Sequence, residues 1–100
     1  MPYGLKEEEL QQLVERFATN QRIDRVVLYG SRAKGNYRPF SDVDLALVGD
    51  GLSRSDINAL HAALDESSLP YQFDISILDS CKNEALKDHI HRRGIIIYQR

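Results

Sequence analysis

Three aspartates set the chemistry open to this chain. Asp42 and Asp44 stand two apart in the run Ser-Asp-Val-Asp-Leu, and Asp74 sits in a separate run, Phe-Asp-Ile. On an extended strand, residues i and i+2 leave the same side with Cα atoms about 6.5 Å apart. If the strand holding Asp74 lies beside the one holding Asp44, three carboxylates converge. Like charges at that range repel, and one carboxylate takes up a proton unless a cation intervenes. Mg²⁺ suits such a set, because it takes oxygen ligands and typically combines a few carboxylates with substrate phosphates. Two such ions roughly 3.5–4 Å apart can clamp the attacking and leaving oxygens of an in-line displacement at phosphorus.

An isolated Asp-x-Asp is more often a solvated pair on a sheet face, but the preceding segment changes the balance. It begins Tyr29-Gly30-Ser31-Arg32-Ala33-Lys34-Gly35. A glycine at a strand end lets backbone N–H groups approach a phosphate, and Ser31 adds a hydroxyl donor. A helix starting there would aim its positive end at the anion. Arg32 has two readings of equal weight: contact with a phosphate, or a pairing with a nearby carboxylate that fixes the loop. Lys34 and Arg38 read as solvated loop charges, and Ser41 as the start of a strand. Gly30 and Gly35 have the glycine spacing of a P-loop, but Asn36 and Tyr37 stand where lysine and Ser/Thr are required. A calcium loop starting at Asp42 fails as well, since Ala46 and Leu47 occupy a ligand position and the glycine position.

The elements that must position these residues follow from apolar spacing. Leu10, Leu13, Val14 and Phe17 mark one face of a helix over 7–20, with Glu7, Glu8 and Glu9 in its first turn where carboxylates suit the helix dipole. Residues 23–29 read as a strand. Residues 30–41 read as a loop whose Ser-Arg-Ala-Lys start could form a short helix. In a second strand over 42–48, Val43, Leu45 and Leu47 share one face while Asp42, Asp44 and Ala46 share the other. Ser53 and Asp56 have capping-box spacing ahead of a helix with Ile57, Leu60 and Leu64 inward. A third strand over 71–78 places Phe73, Ile75 and Ile77 opposite Gln72, Asp74 and Ser76. A helix over 82–93 with Leu86 and Ile90 inward stops at Gly94, and 95–98 form a last short strand. The order is α-β-loop-β-α-β-α-β. The fold class predicted is α+β, a small mixed sheet with helices on its greasy face and its carboxylate face open to water, a ligand or a partner.

Length and composition bound the rest. One hundred residues predict a single domain over 1–100 with a modest core. A net charge of −2 disfavours direct nucleic-acid binding, which rests on many Lys/Arg–phosphate contacts. No apolar run reaches the roughly 20 residues of a membrane helix, and the charged N-terminal segment is unlike a signal peptide. A single cysteine, Cys81, excludes an intrachain disulfide and a CxxC zinc site. These features point to a reduced, cytoplasmic setting. His89 and His91 lie two apart on a helix and do not share a face, so they are poor joint metal ligands, and His61 fits the margin of the core.

The combination Gly-Ser-Arg-Ala-Lys-Gly at 30–35, then Ser-Asp-Val-Asp-Leu at 41–45, resembles the signature of the DNA polymerase β nucleotidyltransferase superfamily. It is most similar to the minimal nucleotidyltransferase (MNT) family, small stand-alone domains usually paired with a helical HEPN protein. The likeness extends to the leading helix, the Phe73-Asp74-Ile75 strand and the closing Arg93-Gly94-Ile95 and Ile97-Tyr98, and so spans nearly the whole chain. The resemblance implies a polymerase β-like fold and transfer of AMP from ATP with pyrophosphate leaving. It implies that Gly30 and Ser31 hold the terminal phosphates, that Asp42 and Asp44 bind two Mg²⁺ ions, and that Asp74 binds the catalytic Mg²⁺ and helps deprotonate the incoming hydroxyl. The unusual spacer residues Lys34, Asn36 and Tyr37 bear on acceptor choice. The chain has no room for the acceptor domain of larger nucleotidyltransferases, so another chain supplies that site or is itself the acceptor. The MNT resemblance implies an antitoxin that attaches AMP to a tyrosine of a HEPN ribonuclease toxin, as in a type VII-like toxin–antitoxin pair. A binding module that neutralises its partner by contact and a small-molecule adenylyltransferase are the alternatives. Three consecutive isoleucines, 95–97, cannot all face one core, which raises a homodimer as a further expectation.

Overall fold

The computed structural model describes residues 2–100. A short 3₁₀ turn at Pro2–Gly4 leads into α1 (Glu7–Ala18), β1 (Arg25–Tyr29), the single-turn α2 (Ser31–Lys34), β2 (Val43–Val48) and α3 (Arg54–Asp65). Then come β3 (Phe73–Ile77), a 3₁₀ turn at Leu78–Ser80, α4 (Glu84–Arg93) and β4 (Ile95–Gln99). Every element expected from apolar spacing is present, most a residue or two shorter than their hydrophobic runs. Asp42 falls just outside β2. Local chemistry sets the helix ends. Glu9 accepts from the Lys6 backbone at 2.8 Å, Asp56 accepts from the Ser53 backbone at 2.8 Å, and Asn83 caps α4 by accepting from Leu86 N at 3.1 Å. At the far end of α4, Gly94 N donates to Ile90 O.

The four strands form one mixed sheet in the order β3-β2-β1-β4. β1 runs antiparallel to β2 and to β4, while β2 and β3 are parallel. Leu13 and Phe17 of α1 and Leu60 and Leu64 of α3 pack on the sheet face formed by Val26, Leu28, Val43, Leu45, Leu47 and Ile75. Burying these side chains contributes about 1.5–3 kcal/mol each. Asp56 is also buried at that margin. It accepts hydrogen bonds from Arg22 Nε and Nη2 and from Asn20 Nδ2, tying α3 to the α1–β1 turn.

The α+β class holds, with one correction to the arrangement of helices. α4 does not join α1 and α3. It covers part of the opposite face, where Ile90 and Leu86 pack with Val27, Tyr29, Ala46 and Leu78. The reason lies in β1, whose Val26-Val27-Leu28 run is apolar on both faces. Only the Asp44–Asp74 end of that face stays open. β4 resolves the three isoleucines differently from a simple alternation. A bulge opposite Val26 and Val27 makes Val27 pair with Ile96 and Val26 with Tyr98. Ile97 and Tyr98 therefore both reach the main core, Tyr98 against the Phe17 ring, and Ile96 is left 51% exposed. Among the described residues no helix is long and apolar enough to cross a membrane.

Candidate functional site

The site forms where three strand ends meet. Asp44 pairs in register with Asp74 on the parallel neighbour β3 and with Tyr29 on the antiparallel neighbour β1. Tyr29, Asp44 and Asp74 thus make one row across the sheet, on strands about 4.8 Å apart. Asp42, two residues before Asp44, is exposed at the mouth of β2, and Asp74 is exposed beside it. The structure accordingly places Asp44 and Asp74 side by side on the open face, with Asp42 near enough for its charge to act on Asp44. Anchoring is strong, because Val43 and Leu45 on either side of Asp44 are fully buried.

The electrostatics record this gathering. Asp44 is half-buried, and its proton affinity is raised first by burial, then by the charge of Asp74, then by that of Asp42. Burial also raises the Tyr29 phenol, a hydrogen bond with Ser76 offsets part of that rise, and the carboxylates of Asp74 and Asp44 add to it. Burial is the larger cause of both shifts, and the neighbouring carboxylates add a smaller part that a cation would relieve. The donor set is all hard oxygen, as Mg²⁺ requires. Among the described residues the carboxylates do not close into a ready-made three-ligand cluster. Asp44 and Asp74, adjacent in register, are the hard-oxygen donors that an ion completing its shell with water and substrate phosphate would need.

Gly30 is built into the same row. It sits at φ 77°, ψ −153°, a backbone region essentially confined to glycine, and a Cβ there would collide with Asp44 Oδ2. Its missing side chain is the space that keeps the Asp44 carboxylate in place. Ser31 opens α2 directly after it, and the first N–H groups of such a turn have no carbonyl behind them within the helix. Gly30 therefore lies against the Asp44 carboxylate, and Ser31 follows it at the start of α2.

The expectation of a nucleotide contact at Arg32 is corrected by its burial, only 1% of the residue being exposed. Its Nε donates to Ser41 O at 3.2 Å, Nη1 to Tyr3 O at 2.9 Å, and Nη2 to Pro39 O at 3.2 Å and Ser41 O at 2.9 Å. The guanidinium also lies over the rings of Tyr37 and Tyr71, at 5.4 and 4.8 Å from their centroids. Arg32 fixes the loop that delivers Asp42, but through carbonyls and aromatic faces rather than through a carboxylate. Sequence reasoning passed over Tyr29, Tyr3 and Tyr71. Tyr29 could have been found from the register of its strand against β2. Tyr3 and Tyr71 are brought to Arg32 only by long-range folding.

Several solved structures share this architecture. A candidate nucleotidyltransferase from Sulfolobus solfataricus superposes with a TM-score of 0.61 at 19% identity, over 98% of this chain and 85% of that one. A toxin–antitoxin solved with AMP-PNP gives a TM-score of 0.66 at 21% identity, over 91% of this chain and 73% of that one. A mutant MntA–HpeT toxin–antitoxin, with two aspartates two residues apart changed to glutamate, gives 0.70 at 18% identity, over 96% and 75%. At these identities the likeness establishes the fold. No curated protein sequence matches the chain. The family model for the polymerase beta nucleotidyltransferase domain matches residues 11–100, which include every residue of the carboxylate row and the Gly30–Ser31 turn, and the chain belongs to that family.

Proposed function

We propose that this chain is a Mg²⁺-dependent nucleotidyltransferase that moves AMP from ATP onto a hydroxyl of a partner protein. The partner is a HEPN-type helical toxin, the acceptor hydroxyl a tyrosine, and the chain the antitoxin of the pair. The observation that carries the reading is the Asp44–Asp74 row with Asp42 at its mouth and Gly30–Ser31 beside it. The toxin–antitoxin neighbours support a toxin as partner, and the AMP-PNP of one and the substituted pair of aspartates of the other support nucleotide chemistry at paired carboxylates.

Asp42, Asp44 and Asp74 are the groups to hold two Mg²⁺ ions, which when bound offset triphosphate charge and align the attacking and leaving oxygens. The remaining work falls to the chain itself. Gly30 N–H, Ser31 N–H and the Ser31 hydroxyl hold the terminal phosphates, at a turn with no side chain in the way. Asp74, exposed and next to Asp44, receives the proton of the incoming hydroxyl. An oxygen–phosphorus bond then forms at the α-phosphorus as the bond to the β-phosphate oxygen breaks and pyrophosphate leaves. Catalysis of this kind is mainly positioning and electrostatics. The test is incubation with labelled ATP, Mg²⁺ and the purified product of the neighbouring gene, followed by mass spectrometry of that product. The double variant Asp42→Ala with Asp44→Ala should abolish labelling while the protein stays folded. If the double variant protects cells from the toxin as well as the parent does, neutralisation is by contact and the enzymatic reading fails.

A further inference from the structure

We propose that the acceptor protein docks as an added β-strand along the free edge of β3, delivering its hydroxyl to Asp74 from an extended segment. This rests on the reading above that the acceptor is a protein. β3 pairs only with β2. Gln72 O accepts from Val43 N, so by alternation the peptide groups of Gln72, Asp74 and Ser76 face β2 and those of Phe73, Ile75 and Ile77 face away. Among the described residues, the N–H groups of Phe73, Ile75 and Ile77 and the carbonyls of Phe73 and Ile75 have no bond outside the ladder. They border a cleft of ≈ 500 Å³ lined by all four residues 74–77. Successive strand residues point to opposite faces, so a cleft touching all four lies off the strand's edge. Its walls mix apolar side chains, Leu52 and Ile57 towards α3 and Tyr29 and Leu86 towards α4, with polar ones, among them Ser53, Arg54 and Ser80. An added strand would bury side chains on both of its faces.

The other sheet edge, β4, carries a bulge, a common device against edge pairing. β3 has no bulge, proline or lysine. The occupant must offer free peptide groups in extended form, which an α-helix cannot because its own are already paired. The acceptor tyrosine of a helical toxin therefore lies on a loop or terminal segment.

The experiment is residue-resolved amide exchange on the full chain, alone and with the full-length product of the neighbouring gene. The amides of residues 73, 75 and 77 should exchange freely in the free protein and slow at least about tenfold in the mixture, while those of 74 and 76 are protected in both. Ile77→Pro removes one outward N–H without touching the β2 ladder, and Ile77→Lys blunts the edge by charge. Each should raise KM for the acceptor about tenfold with little change in kcat or in ATP affinity. Amides 73, 75 and 77 that stay fast in the mixture overturn the proposal, even if AMP is transferred. Concentration-dependent protection of the free protein overturns it too, since the occupant is then a second copy. Protection without AMP transfer supports edge docking while removing the enzymatic reading.

Discussion

Replacing Gly30 with alanine tests the site more sharply than removing a carboxylate, because it changes no charge and no donor. An L-residue held at φ 77°, ψ −153° costs about 1–3 kcal/mol of backbone strain. The new methyl group also falls on Asp44 Oδ2 and must displace it. Taking about 2 kcal/mol, and a Tm change of roughly 4–8 °C per kcal/mol for a domain of this size, Tm should fall by about 10 °C. Gly35 provides the control. It too has a positive φ, 89°, but a Cβ there meets nothing within 4 Å. Gly35→Ala should cost only about 1 kcal/mol and leave activity intact. At a temperature where both variants are folded, Gly30→Ala should lose about 10²-fold in AMP transfer because the Asp44 carboxylate has moved. Circular-dichroism melts and a labelled-ATP assay read both effects. Equal Tm and equal activity in the two variants would refute the claim that Gly30 makes room for Asp44.

Three further outcomes follow from charge and burial. Asp44 has a raised folded-state pKa, so its ionisation opposes folding above that value and has no effect below the unfolded carboxylate range. Asp44→Asn should therefore raise Tm at pH 7 and lose that advantage near pH 3, and the Tm gain expected of the parent with Mg²⁺ should be absent from it, all measurable by calorimetry. Asp56 has the opposite sign. Its bonds from Arg22, Asn20 and Ser53 hold it well below the ordinary carboxylate range, giving stability that is present above about pH 4 and lost as pH falls towards 2 and below. Asp56→Asn should flatten that acid limb in pH-dependent melts and lower Tm at neutral pH. Arg32→Lys keeps the charge but loses the planar fork that serves three carbonyls and two rings, so it should destabilise by about 2–3 kcal/mol in denaturant titration, whereas Lys34→Ala on the exposed side of the same turn should not.

What could be read in the sequence was whatever a local period or a short motif encodes. The alternation Val43-Asp44-Leu45 placed Asp44 opposite the core, and the same alternation placed Asp74, so their meeting required only that β2 and β3 be neighbours. The Gly30–Ser31 turn was equally local. What escaped was set by contacts between distant segments. Arg32 reads by position as a phosphate contact or a carboxylate partner, yet its actual partners Tyr3 and Tyr71 lie 29 and 39 positions away and no period announces them. The α4 placement was half-legible, since Val27 is an apolar residue on the face assigned to water. The β4 bulge was not, because Ile95, Ile96 and Ile97 are identical residues and carry no register of their own.

The row of carboxylates also explains why so small a sheet suffices. Val43, Leu45 and Leu47 are each fully buried, so β2 cannot slide or tilt without opening the main core. Parallel pairing in register then fixes Asp74 to Asp44, and the Arg32 anchor fixes the loop end that presents Asp42. The principal freedom left at the site is rotation of three short side chains, each limited to a few staggered states. Like-charge repulsion favours keeping those side chains apart, and a bound divalent ion would reverse that preference. Metal affinity should for that reason depend on Gly30 and Arg32 almost as strongly as on the aspartates, although neither residue offers a ligand atom.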